Sequence, residues 1–276
     1  MNFKIVADSS SDLLTLSGVP YESVPLKIIT KEKEYVDDAS LNVEEMVEEL
    51  RRQTAPTGTS CPNVHDWMSA FGEAEQVFAI TITSNLSGSY NACRQAAEMY
   101  MEEHPGRKVC VLDSLSAGPE LQLTVEFLRD AIVAGEAFEA IEEKVRAYML
   151  KTHLVFQLQS LANLARNGRV SPAVAKFASV LGIGLVGKAS DVGTLEPLHK
   201  CRGEKNTLKT LYKTMKEMGY AGGKARISHC FNPNAAKVVV DMIRADFPNA
   251  DVVVDCAKGL VCYYAEKGGM LIGFEG

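Results

Sequence analysis

Residue types able to do chemistry gather at a few places in this chain. Ser84-Asn85-Leu86-Ser87-Gly88-Ser89 sets hydroxyls and a glycine between an apolar run and a helical pattern. Backbone N–H groups at such a junction attract anions, and a serine there also caps a helix. Local sequence leaves both roles open, since a pure cap needs only Ser87. The turn is not G-x-S-x-G and no histidine is implied beside it, so serine-hydrolase chemistry has little support. Asp8-Ser9-Ser10-Ser11-Asp12 follows the first apolar run. An aspartate at a strand end can accept a phosphoryl group. Ser10, however, stands where a second carboxylate would be wanted. A strand-to-helix turn with side-chain caps is the plainer account.

Arg166-Asn167-Gly168-Arg169-Val170-Ser171 sits between two helical patterns. A cation at a helix end is usually solvated or serves the helix dipole. Arg169 could instead turn inward to a carboxylate, because its charge cannot be removed and its fork is bidentate. The run Gly182-Ile183-Gly184-Leu185-Val186-Gly187 matches G-x-G-x-x-G. A dinucleotide site needs a strand before those glycines and a helix after them. Here the order is reversed, so the glycines read as close backbone packing or a narrow apolar wall.

These segments need elements to hold them. Phe3 to Ala7, Ser23 to Ile29, Val77 to Ile82 and Lys108 to Leu112 read as buried strands. A helix runs to Arg51, with Asn42 as N-cap and Glu45 at the capping-box position. Ser87 to Met101 is helical in spacing, and two more helices begin near Leu121 and Ala137. Such alternation predicts a mostly parallel sheet covered by helices. In the second half, Thr152 to Gln157, Ile183 to Val186, Leu195 to His199, Ala225 to Cys230 and Val252 to Cys256 read as strands. Leu158 to Arg166, Pro172 to Leu181, Thr207 to Met218 and Asn234 to Phe247 read as helices. Val261 to Tyr264 and Met270 to Phe274 read as an antiparallel pair closing the sheet. The expected domains are 1–150 and 151–276.

Composition narrows the function classes. Of 276 residues, 46% are hydrophobic and 23% charged, which is ordinary for a globular chain. A formal charge of −6 without a clustered basic face argues against nucleic acid. The N-terminus reaches Asp8 without an apolar signal core, and no apolar run approaches the roughly 20 residues of a spanning helix. With seven cysteines, an odd number and none at C-x-x-C spacing, reduced thiols in a cytoplasm are the expectation. The five histidines form no cluster with cysteine, so no metal site is expected.

Taken in order, the segments resemble the DegV family. Ile5 to Leu13 resembles its opening strand and D-S-x-x-D-L. Val24-Pro25-Leu26 and Tyr35-Val36-Asp37-Asp38 resemble its next two marks. Pro56 to Pro62 resembles the P-x-T-S-Q-P loop, offset by one residue. Ile82 to Tyr90 resembles I-S-S-x-L-S-G-T-Y, Val111 to Ala117 resembles V-x-D-S-x-S-A, and Gly168 to Ser171 resembles G-R-I-S.

That resemblance implies an α/β protein of two α/β domains with mostly parallel sheets, and a long-chain fatty acid bound between them. It implies a carboxylate held by Thr59, Ser60, Ser87, the Gly88 N–H and Arg169. The acyl chain would enter a tunnel lined by Phe177, Val180, Leu181, Ile183 and Leu185. In bacteria that have the system, such proteins carry or present the fatty acid to a separate fatty acid kinase subunit for acyl-phosphate formation, and supply no catalytic group. The expected ligand is thus a fatty acid, with no cofactor, no metal, no nucleic acid and no stable membrane insertion. Two departures stand out: the glutamine after T-S is Cys61, and the histidine common near the C-terminus is Ala265. The rivals are a diverged binder of another lipid-like or small anionic ligand, and a phosphoryl-transfer or hydrolase enzyme centred on Asp8 and Ser84–Ser89.

Overall fold

The computed structural model describes residues 2–171, 174 and 183–276. The chain runs β1 (Phe3–Asp8), β2 (Tyr21–Val24), β3 (Lys27–Ile29), β4 (Glu34–Val36), α1 (Val43–Arg52), β5 (Gly58–Ser60), α2 (Val64–Phe71), β6 (Gln76–Thr81), α3 (Ser89–Glu103), β7 (Lys108–Asp113), α4 (Pro119–Val133) and α5 (Phe138–Met149). It continues through β8 (Thr152–Leu158), α6 (Ala162–Arg166), β9 (Ile183–Ala189), β10 (Leu195–Arg202), α7 (Glu204–Glu217), β11 (Ala225–His229), α8 (Pro233–Asp246), β12 (Val252–Cys256), α9 (Gly259–Ala265) and β13 (Met270–Glu275).

The first large sheet has the order β2-β1-β6-β7 and is parallel throughout. Its central strands β1 and β6 carry apolar runs because both faces are covered. Val6, Val77 and Ala79 pack on α2 and α3, while Ile5, Phe78 and Ile80 pack on α4 and α5. The second sheet has the order β10-β9-β8-β13-β11-β12. Only β11 and β12 pair in parallel, and the other neighbours are antiparallel. The parallel expectation therefore applies to the first sheet alone. A short turn joins β9 to β10, and so brief a connection permits only antiparallel pairing.

Helix α4 lies between the two sheets and packs on strands of both. Its start presses on Gly273 of β13, where an added Cβ would stand 2.4 Å from the Glu120 nitrogen. Polar ties also cross between the halves. Arg226 pairs with Glu126 of α4 at 2.7 Å and with Asp251 at 2.9 Å. Thr152 donates to Glu120 at 2.9 Å.

A small antiparallel sheet, β4-β3-β5, carries Thr59 and Ser60 on β5. Its core residues Ile28 and Tyr35, with Met46 and Val47 of α1, share one buried cluster with Leu154, Phe156 and Tyr263 from the second half. So although the chain passes from one large sheet to the other near residue 150, residues of the first half also pack into the second.

Several elements differ from expectation: the helix expected over Leu158 to Arg166 is confined to Ala162–Arg166, with Leu158 ending β8. Ser23 to Ile29 is two strands belonging to different sheets, broken at Pro25, which has no N–H to give a ladder. Val261 to Tyr264 lies inside helix α9 rather than in a strand. A short apolar run reads equally as buried strand or buried helix. The deciding partner is distant: Asp37 accepts the Gly259 N–H at 2.7 Å and the Leu260 N–H at 3.0 Å, fixing the first turn of α9. The expected helix Pro172 to Leu181 lies outside the described residues, Val174 apart.

Candidate functional site

A cavity of about 290 Å³ opens between the second sheet, the small sheet and the loops at the C-terminal ends of β6 and β7. That position is where open α/β sheets bind ligands. One wall is the inner face of β8, where Leu154, Phe156 and Leu158 alternate with residues facing the other way. Leu164, Leu260, Val261 and Leu271 extend the apolar surface.

One rim of the cavity is polar. Thr59, Ser60 and Cys61 come from β5 and the residue after it, and Ser87 and Gly88 from the turn into α3. Arg169 comes from the turn after α6 and is the one charged side chain among the described lining residues. The expected head-group residues Thr59, Ser60, Ser87, Gly88 and Arg169 therefore meet at a single cavity. Gly88 is the N-cap of α3, whose free N–H groups and positive dipole end favour an anion. Ser87 precedes that N-cap, and its hydroxyl accepts the Ser89 N–H at 3.2 Å. Arg169 is exposed and donates to the Asn167 carbonyl at 2.7 Å. It thus serves its own helix end while bordering the cavity.

Asp8 supports this rim from beneath and does not line it. It is fully buried, and its Oδ2 accepts the Ser89 hydroxyl at 2.6 Å and the Ile82 N–H at 3.0 Å. Ser10 donates to its other oxygen. Burial holds this carboxyl above its ordinary value against those hydrogen bonds. Its geometry anchors the first residue of α3, and through it the Ser87–Gly88 turn.

Helix α9 contributes residues that sequence reasoning missed. The Tyr264 hydroxyl lies 2.7 Å from Thr59 Oγ1 and faces the cavity. Burial raises the Tyr264 phenol, while the Thr59 hydrogen bond and the Arg169 cation pull it down. On the other side of the helix, Tyr263 bonds Thr57 at 2.8 Å and accepts from Asn167 at 2.9 Å. The tyrosine doublet thus clamps the β5 loop and the Arg169 turn together. The only signal in the sequence was the doublet itself, hidden by the strand reading. Ala265, where the resemblance led one to look for a histidine, also lines the cavity.

The β9–β10 hairpin covers another side with Ala189, Gly193, Thr194 and Leu195. At its tip, Asn85 donates to the Val192 carbonyl at 2.6 Å. Gly193 has φ +75°, and a Cβ there would stand 2.2 Å from Thr83 Oγ1. Of the expected tunnel residues, Phe177, Val180 and Leu181 lie outside the described residues. Leu185 joins the buried cluster behind the cavity wall. Ile183 falls on the same face of β9 as Leu185 and Ala189, opposite Arg202, and is not among the lining residues. Of the G-x-G-x-x-G run, Gly182 lies outside the described residues, and the other two glycines are packing positions: Gly184 approaches Thr207, and Gly187 approaches Phe156.

The model of the DegV family, whose description reads uncharacterised protein, matches residues 2–275. A DegV domain-containing protein of Streptococcus pneumoniae is 40% identical over 279 residues, spanning 100% of this chain and 99% of that protein. Two solved structures are similar along their whole length. A DegV family protein from Eubacterium eligens, loaded with heptadecanoic acid, is 43% identical with a TM-score of 0.96, covering 99% of both chains. The Streptococcus pneumoniae Fatty Acid Kinase (Fak) B3 protein, loaded with linoleic acid, is 40% identical with a TM-score of 0.98, covering 100% of this chain and 99% of that one.

Proposed function

This chain belongs to the DegV family, and on that premise we propose that it binds one long-chain fatty acid and presents it to a separate fatty acid kinase. The observation that carries this reading is the cavity itself, an apolar wall ending in a rim of hydroxyls, a helix N-terminus and one arginine. The carboxylate sits at Thr59, Ser60, Ser87, the Gly88 N–H and Arg169, and the acyl chain lies against Leu154, Phe156 and Leu158.

The energetics agree. A buried methylene is worth about 0.8 kcal/mol, so roughly fifteen of them give about 12 kcal/mol before the loss of ligand freedom. A carboxylate is costly to bury unpaired. Hydroxyl and N–H donors with one guanidinium offset that cost. Cys61 brings no amide to the rim and Ala265 no imidazole, so Tyr264 and Arg169 carry more of the head-group contact here.

The protein acts as carrier rather than catalyst: Asp8, the residue best suited to phosphoryl chemistry, is fully buried and already hydrogen-bonded on both oxygens. Among the described residues no helix is long and apolar enough to cross a membrane, and we place the protein in the cytoplasm. Mass spectrometry of lipids extracted from the natively purified protein tests the reading. One fatty acid per chain is expected. A protein purified without detergent that carries none, and takes none up, would overturn it in favour of a binder of another anionic ligand. Adding a fatty acid kinase subunit and ATP to the loaded protein should then yield acyl phosphate.

A further inference from the structure

Phe156 and Gly187 are paired across β8 and β9. A Cβ at Gly187 would stand 2.5 Å from Phe156 Cζ and 2.6 Å from Cε2. The outer end of the ring therefore occupies the space that a side chain at residue 187 would fill. It is buried and its edge forms part of the cavity wall. On the same strand face, Leu158 is paired with Leu185, and Leu154 with Gly273 of β13, whose open side is taken by the start of α4. A glycine opposite an aromatic in a sheet gives the ring a place to lie. The Glu196 carbonyl, 2.6 Å from the same Cβ position, closes that seat from the β10 side. The ring is thus a large apolar wall group whose place is fixed by a gap that only glycine leaves.

We propose that Phe156, seated on Gly187, determines how long an acyl chain the cavity accepts. This inference rests on the fatty-acid reading and deepens it by naming a specificity residue. The side chain acts as a wall of fixed position: the chain gains contact until its end meets the ring or the side chains that the ring supports. Removing the ring deepens the cavity, and the added space is worth filling only for longer chains.

The experiment incubates wild type, Phe156→Ala and Phe156→Leu with an equimolar ladder of saturated fatty acids from laurate to arachidate. Each protein is then re-isolated and its bound acids quantified by mass spectrometry. Relative to wild type, Phe156→Ala should favour the next longer even-numbered acid by roughly tenfold, and Phe156→Leu should shift the same way by less. Phe156→Leu keeps a branched apolar group in the wall and reads the effect if the alanine variant does not fold. Wild type loaded with fatty acid and variants with the same length profile would overturn this inference and leave the fatty-acid reading standing. Wild type that takes none of the ladder would overturn that reading itself, and this inference with it.

Discussion

The Tyr264 hydroxyl lies 2.7 Å from Thr59 Oγ1, joining residues 205 positions apart at the rim of the cavity. The contact ties helix α9 to the edge of the small sheet and fixes the orientation of a hydroxyl that a carboxylate would meet. Tyr264→Phe keeps the ring and removes only the hydroxyl. A single neutral hydrogen bond is worth about 1 kcal/mol, so fatty-acid affinity should fall about fivefold with little change in melting temperature. Displacement of a fluorescent fatty acid measures this, and an unchanged affinity would show that Thr59 needs no orienting partner.

Arg169 and Ser87 approach the same rim from different elements, one on the turn after α6 and one before α3. Arg169→Ala should lower affinity more than Ser87→Ala, because hydrogen bonds from an ionised donor are about twice as strong as neutral ones. Expected losses are roughly tenfold or more for the arginine and about fivefold for the serine. Affinity for the methyl ester of the same acid should fall much less in Arg169→Ala. Equal losses for acid and ester would place the arginine outside the head-group contact.

Much of this site was legible in the sequence, and what was not has physical causes. Asn42 caps α1 as its position predicts, accepting the Glu45 N–H at 3.1 Å. The serine turn and Gly168, which takes φ +67° after α6, also stand where local chemistry puts them, whereas the T-S pair was reached only through the family resemblance. Helix α9 was not legible, because its first turn depends on Asp37, more than two hundred residues earlier. Nor was the seat of Phe156 on Gly187, which exists only once β8 and β9 pair. The antiparallel order at the centre of the second sheet was hidden for a related reason: β8 and β13 are buried on both faces and show no alternation that would set them apart from parallel strands.

Two buried carboxyls near the junction of the halves make stability fall with rising pH. Asp12 accepts the Lys258 N–H at 2.8 Å, yet burial pushes its carboxyl up to about 7. Burial likewise pushes Glu120 up to about 7, against hydrogen bonds from Ser116 and Thr152. With folded values above their ordinary 3.8 and 4.5, the native state binds more protons than the unfolded chain across that window. Their stabilising contribution is full below the ordinary values and is lost as pH rises through about 7. Each can cost up to about 1.4 kcal/mol per pH unit within that window. Denaturant titrations across it should show stability declining toward neutral pH, with a shallower slope in Asp12→Asn. An identical slope in the variant would mean that Asp12 titrates normally.

The Arg226–Glu126 pair makes α4 more than a spacer. Its side chains are only 5% and 10% exposed, and Arg226 reaches a second, half-exposed carboxylate at Asp251. Because Glu126 sits on the helix between the sheets and Arg226 on β11, the pair ties that helix to the second sheet. Removing one partner of a buried pair leaves an uncompensated charge and costs about 3 kcal/mol or more. Glu126→Ala should therefore lower the melting temperature strongly, whereas Asp251→Ala, at the exposed end of the network, should cost about 1 kcal/mol or less. Replacing both Glu126 and Arg226 with apolar residues of similar size should recover much of the loss, since buried pairs often break even against packed hydrophobes. If the double variant regains stability but still binds fatty acid weakly, the pair serves to set the geometry of the cavity. If affinity recovers together with stability, its role is only to hold the halves together.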